Sequence, residues 1–236
     1  MNDIAEKRTR RCNDDEALLA RREEILEVAT ELFAEQGFSE TVTQALADRL
    51  QLGKGTIYRH FPSKRELFLA AADRVMVKLN ERVDASLVGV EDPLDRPGRA
   101  IAAYLRFFAE KPHFAEMLIQ ERAHFKDRTR PTYFEHRERT VERWRTLYAE
   151  MIATGRFRPM PVNQITDVIS GAIYGAMFIN YFVGPTKSPE QQAGDILDIV
   201  FRGVLSESER RERDGASARP AGRAAGDRDS HRGVHP

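Results

Sequence analysis

The sequence predicts an all-α fold of about nine helices, with a three-helix unit at the N-terminus and a larger helical unit after it. Three observations predict it. Apolar residues recur at three- and four-residue spacing through most of the 236 residues, and no stretch alternates as a strand would. Pro and Gly fall mostly between these periodic stretches, where they stop helices. Residues 41–67, TVTQALADRLQLGKGTIYRHFPSKREL, read as two short helices about a tight turn and the capped start of a third. The boundaries that follow are a flexible arm over 1–16, a helix-turn-helix domain over 17–67, a second helical domain over 68–205 and a disordered tail over 206–236.

Residues 1–16 are polar and mixed in charge, so an unordered arm is expected. Its basic cluster of Lys7, Arg8, Arg10 and Arg11 suits a DNA backbone or minor groove. Helix one is predicted over 17–36, with Leu18, Leu19, Arg22, Ile25, Leu26, Ala29, Leu32 and Phe33 on one face. Gly37 then supplies a left-handed cap, and Phe38 folds back on the last turn. Thr41 and Gln44 form a capping box for the second helix, which ends near 50–51. The third begins at Gly53 and runs about two turns, anchored by Ile57 and Phe61. Pro62 ends it, and Ser63 with Glu66 caps a long fourth helix over 63–87, with Phe68, Ala71, Val75, Leu79 and Val83 as its stripe.

The segment 89–98, with Pro93 and Pro97, breaks the pattern. Further helices are predicted over 101–110, 113–125, 131–154, 162–183 and 190–205, separated by Pro or Gly. The tail over 206–236 has almost nothing large and apolar to offset its ordering entropy.

Composition narrows the function less than the motif does. Formal net charge is zero. The first 68 residues hold 11 basic and 13 acidic side chains, so a nucleic-acid interface must be a local patch. Acids crowd into 14–35, whereas 39–68 carries Arg49, Lys54, Arg59, Lys64 and Arg65 against Glu40, Asp48 and Glu66. Cys12 is the only cysteine, so no intrachain disulfide or thiolate metal cluster forms, and a cytoplasmic location is expected. The start lacks the apolar core of a secretory signal, and the longest apolar run, 168–183, is interrupted and short for a bilayer.

The third helix places Lys54, Gly55, Thr56, Tyr58, Arg59 and His60 within seven positions. A major groove admits one helix, and small residues at its leading edge allow close approach. Tyr58, Arg59, His60 and, in the next helix, Lys64 offer contacts to phosphate, Lys54 reaches a base edge or a phosphate, and Thr43 and Gln44 reach a phosphate and a base edge. Double-stranded DNA is therefore the expected partner.

The run GKGTIYRHFPSKREL resembles the tetracycline-repressor (TetR/AcrR) family of transcriptional regulators, through Lys54, Gly55, Thr56, Ile57, Tyr58, His60, Phe61, Ser63, Lys64, Glu66 and Leu67. Leu32-Phe33 and Gly37-Phe38 upstream fit as well. The resemblance implies that Thr43, Tyr58, His60 and Lys64 lie on phosphates, with Gln44, Lys54, Gly55 and Thr56 near bases. It departs at Gly53, where Ser is common, at Gln51, where the turn usually has Gly, and at Val42-Thr43, where Thr precedes an aliphatic residue.

The resemblance also implies a largely apolar effector cavity in the C-terminal helices. Candidates for it are Tyr104, Phe108, Met117, Glu121, His124, Trp144, Tyr148, Tyr174 and Phe178, with Asn180 a further polar group. The last two helices are the expected homodimer contact, through Val168, Gly171, Ala172, Gly175, Ile179, Ile196 and Val200, with Met177 adding apolar surface. Such a dimer reads a palindromic operator, and an effector that moves the fourth helix releases it. A repressor is the leading reading and an activator of the same family the alternative. The rival classes are a helical protein adaptor and a metal-dependent helical enzyme. The latter is suggested only by Glu121 and His124 at i, i+3, which lack the second copy that a di-iron bundle needs. No cofactor, metal, membrane partner or catalytic activity is expected.

Overall fold

A computed structural model describes the backbone of residues 2–202 and the side chains of residues 15–202. Nine helices lie within it, and no strand is present among the described residues. They are α1 (Asn2–Glu40), α2 (Thr43–Leu50), α3 (Lys54–His60), α4 (Lys64–Leu87), α5 (Asp95–Glu110), α6 (Pro112–His124), α7 (Thr132–Ala153), α8 (Val162–Val183) and α9 (Pro189–Arg202). The side chain of Cys12 and the tail expected to be disordered lie outside the described residues. No helix among those described is long and apolar enough to cross a membrane.

The first helix departs from its predicted start. It begins at Asn2, so residues 2–16, expected as a flexible arm, continue it. No Pro or Gly interrupts 2–36, and Ala, Glu, Lys and Arg there are strong helix formers. Leu18 and Leu19, assigned to the packed face, are instead exposed, because burial begins only at Ile25. The helix proper ends at Gly37, whose φ of 80° and ψ of 173° turn the chain.

The capping box expected at Thr41 and Gln44 is absent. Thr41 is buried, and its hydroxyl donates to the main-chain oxygens of Gly37 at 2.7 Å and Leu32 at 3.3 Å. That bond closes the end of α1 rather than opening α2. Gln44 donates to Asp48 along the helix surface, and Val42 precedes α2 with no side-chain cap. At the other end, Gln51 holds φ 53° and ψ 40°, and its N–H meets the oxygens of Ala47 and Asp48. A side chain thus occupies the left-handed position that the turn requires. Ser63 caps α4 as predicted, accepting from the Glu66 N–H at 3.1 Å. The fifth helix starts earlier than predicted, at Asp95, because Pro97 falls in its first turn, where its missing N–H costs nothing.

Helix α4 organises the packing. Phe68, Ala71, Ala72, Val75, Met76, Leu79 and Val83 are all buried at three- and four-residue spacing. It packs against α1, α5, α6 and α7. Beyond it, α5 packs on α9 and α8. One apolar core runs from Ile25 and Phe33 of α1 through α4 to Ile169 and Met177 of α8. Met177, expected to add dimer surface, is inside this core: it is buried and accepts from the Tyr104 hydroxyl through sulfur.

The left-handed Gln51 generates a stability prediction. A left-handed residue costs about 1–2 kcal/mol, against roughly 0.5–1 kcal/mol for the extra chain entropy of glycine. Gln51→Gly is expected to raise stability by about 0.5–1 kcal/mol, read as a higher urea midpoint at unchanged slope. A lower midpoint would refute strain at this turn.

Candidate nucleic-acid interface and ligand cavity

The two short helices are set by few anchors. Leu46 and Ala47 of α2 and Ile57 of α3 are buried, as is Phe61 just beyond it. Everything else on α3 faces outward or sits half-buried. Lys54, Gly55, Tyr58 and Arg59 are exposed, whereas Thr56 and His60 are half-covered. Nothing lies within 4 Å of a side-chain carbon built at Gly53 or Gly55, so this edge is open to close approach. Tyr58 donates to the Thr43 hydroxyl at 3.2 Å, bringing the two predicted phosphate-contacting hydroxyls together across the turn.

Lys64 lies at the same end. Its ammonium donates to the Ser39 carbonyl at 3.1 Å and stands 4.7 Å from the Phe38 ring centre. Partial burial lowers its pKa, with Glu40 and Tyr58 opposing that shift. His60 is pushed down by burial and then by Arg59, Arg22 and Arg21, and its buried Nε2 has no hydrogen-bond partner. Arg22 stacks its guanidinium 4.6 Å above the Phe61 ring. Arg22 therefore extends the cationic surface from α3 onto α1, while Arg21 beside it pairs with Glu24 at 2.5 Å. Sequence reasoning placed Arg22 on the packed face but did not assign it or Arg21 to the interface. The signal was its position three residues before Ile25, which turns it toward α3.

A cavity of about 110 Å³ lies between α4, α5, α7 and α8. Met76, Leu79, Ile101, Val141, Ile169 and Ile173 make it apolar. Asn80, Arg137, Thr140 and Thr166 add polar groups that sequence reasoning missed. Of the predicted lining residues, Tyr104, Trp144 and Tyr148 reach it. Burial raises the pKa of Tyr104 and of Tyr148, and that of Tyr133 beside them is pushed up to about 12, so the three phenols stay neutral.

The other six predicted residues lie elsewhere. Phe108 packs on Phe107 and Tyr104, Met117 is fully buried, and Tyr174 and Phe178 line a separate groove. The Glu121 carboxylate accepts from the Thr132 N–H at 2.9 Å, with Arg128 Nε 3.5 Å away. Burial raises its pKa, and its second oxygen has no partner. His124 is exposed and packs its ring 5.0 Å from that of Phe38. The Glu121–His124 pair thus points in two directions, and no three potential metal ligands converge among the described residues. Asn180, the further polar candidate, exchanges hydrogen bonds with Gln192, tying α8 to α9.

Two further joints tie the helices to one another. His136, buried on α7, meets Asp73 at 2.7 Å and Asn80 at 3.3 Å, both on α4. Gln120 of α6 accepts from the Phe38 N–H at 2.7 Å. Phe38 also packs its ring against those of Phe68 and Phe125 at 5.3 and 5.0 Å.

Residues 25–71 match the family described as bacterial regulatory proteins of the tetR family, and residues 90–204 match the tetracyclin repressor-like C-terminal domain. The chain belongs to the TetR family. It is a DNA-binding regulator of the helix-turn-helix type, in a family of transcriptional regulators rather than enzymes. Among curated relatives, the transcriptional repressor KstR2 of Mycobacterium tuberculosis is 28% identical over 199 residues, covering 80% of this chain and 94% of that protein. The TetR family regulator PfmR of Thermus thermophilus has a TM-score of 0.60 and 26% identity, over 77% of this chain and 99% of that one. The regulator FadR of Bacillus subtilis, solved with stearoyl-CoA, shares the fold at a TM-score of 0.65 and 16% identity, over 77% of this chain and 98% of that one.

At α3 and the start of α4, charge and hydrogen bonding separate by experiment. Lys64→Ala is expected to flatten the slope of log affinity against log salt by about 1 on a bound duplex. Tyr58→Phe is expected to leave the slope unchanged and weaken binding by roughly 3–10-fold, the worth of one hydrogen bond. Filter binding between low and moderate salt reads both.

Proposed function

We propose that the protein is a homodimeric repressor, released from a palindromic operator when a small, partly apolar molecule enters the cavity. The observation that carries this is the course of α4. It begins at Lys64, beside α3, and presents Asn80 and Val83 to the cavity wall. Sixteen residues separate Lys64 from Asn80, a helical distance of roughly 24 Å. A molecule that displaces Asn80 disturbs its contact with His136 and so the seating of α4 on α7. That movement is delivered to the interface end of the same rigid element. Operator and effector then weaken each other's binding by one factor. The repressor sign is supported by similarity to KstR2 along most of both chains.

The dimer is argued from α8. Val168, Gly171, Ala172, Gly175, Ile179, Phe182 and Val183 fall at three- and four-residue spacing along it. Ile179 is 61% and Phe182 67% exposed, and open space surrounds Gly171 and Gly175. On α9, Ile199 faces out and joins Ile196 and Val200, both partly buried, as the outer contact. An apolar stripe of this length in water seeks a partner, and a second copy satisfies it symmetrically.

Selection of bound sequences from random duplex DNA is expected to return a palindrome with half-sites one turn apart, roughly 34–36 Å. An asymmetric site, or no enrichment, would sink the proposal. Ile179→Asp with Phe182→Asp is expected to give a monomer by sedimentation and to weaken binding to the palindrome more than to an isolated half-site.

A further inference from the structure

A second depression lies across the cavity wall. Leu118, Phe134 and Phe178 form part of its apolar surface, and Arg122, Lys126 and Arg130 bring cations to it against the carboxylate of Glu138. Tyr133 and Arg137 belong to both spaces, lining the cavity and this groove. They stand one turn apart on α7, so the apolar hole and the basic trough meet at these two side chains.

The cations of the trough are incompletely engaged. Lys126 has no acidic partner among the described residues, and Arg122 donates only to the main-chain oxygens of Lys126 and Arg128, at 3.3 Å. Arg130 and Arg137 pair with Glu138 and Asp167, both exposed carboxylates, and such pairs exchange partners at little cost. Four cations thus face two carboxylates, and Arg122 and Lys126 pair with neither. On the other side, the cavity of about 110 Å³ is smaller than the roughly 150 Å³ apolar hole that holds benzene. It suits one ring or a chain of about six carbons.

We infer that the effector is an amphipathic polyanion. A short acyl or single-ring body fills the cavity, and a multiply charged phosphate-type head lies in the trough against Arg122, Lys126 and Arg130, with Arg137 and Tyr133 at the crossing. This inference rests on the cavity being the effector site. It adds the size of the body and the charge of the head, neither of which the fold specifies.

Trp144 is the only tryptophan and lines the cavity, so binding is readable without DNA. The full-length protein is titrated with hexanoyl-CoA, stearoyl-CoA, hexanoate and hexanamide, following Trp144 emission. Hexanoyl-CoA is expected to change the emission and to bind about tenfold or more tighter than the other three, with affinity falling as salt rises. Lys126→Glu, which reverses a charge in the trough and leaves the cavity lining intact, is expected to weaken hexanoyl-CoA by about fivefold or more and to leave hexanamide unchanged. Equal binding of hexanoate and hexanoyl-CoA, both indifferent to Lys126→Glu, would overturn the phosphate head. Stearoyl-CoA binding as tightly as hexanoyl-CoA would overturn the short body, and silence of Trp144 to all four would overturn the site. Tight hexanoyl-CoA binding that fails to release operator leaves this inference standing and counts against the release mechanism alone.

Discussion

The seat of Phe38 against α6 is the contact on which both halves of the molecule depend. Gly37 turns the chain at a positive φ that L side chains rarely adopt, and a carbon added there would come within 2.6 Å of the Gln120 amide. The turn delivers the Phe38 N–H to Gln120 and its ring into a nest of Phe33, Phe68, Phe125 and His124. Lys64 then rests over the outer face of the same ring, so a backbone turn, an α6 side chain and an interface cation are held by one aromatic group. Edge-to-face contacts of this kind fix ring orientation as well as burying area. Arg65, one residue on, reaches Asp127 at 2.5 Å and stacks on Phe125, adding a second tie at the same place. The tie between α6 and the start of α4 is thus made by packed groups.

Charge placement explains how a chain with no net charge presents a cationic surface. The acids concentrated in α1 are occupied on the side facing the body. Glu23 and Glu27 pair with Arg74, Glu27 also reaches Lys78, and Glu31 meets Lys111 at 2.9 Å. Arg74 is mostly buried, so its pairs matter more than the exposed ones. Lys54 and Arg59 of α3 have no such carboxylate beside them among the described residues, and the one acid turned toward α2, Glu35, is 3.8 Å from Arg49. Local sorting of charge, not the total, makes this face cationic.

Much of this was legible in the residue order. The helix-turn-helix followed from Ile57 and Phe61 as anchors and from the Ser63 cap, since these depend only on neighbours in sequence. What failed depended on distant partners. Thr41 read as a helix-opening residue because its spacing to Gln44 fits, but its hydroxyl serves the end of α1. Leu18 and Leu19 share the period of the buried face yet lie beyond the end of the structure they would pack on. In the C-terminal half, every aromatic or Met at helical spacing looked equally suited to a cavity. Only packing separates Trp144 and Tyr148, which reach it, from Met117 and Phe108, which fill the core. Asn80 and His136 were invisible as a pair because 56 residues separate them.

The joint at Phe38 is tested most directly by amide hydrogen exchange in Phe125→Ala, a substitution on the far side of that joint from α3. The account predicts faster exchange confined to residues 37–68, including the recognition helix, with α8 and α9 unchanged. Unaltered exchange in 54–67, or a uniform acceleration along the chain, would contradict it.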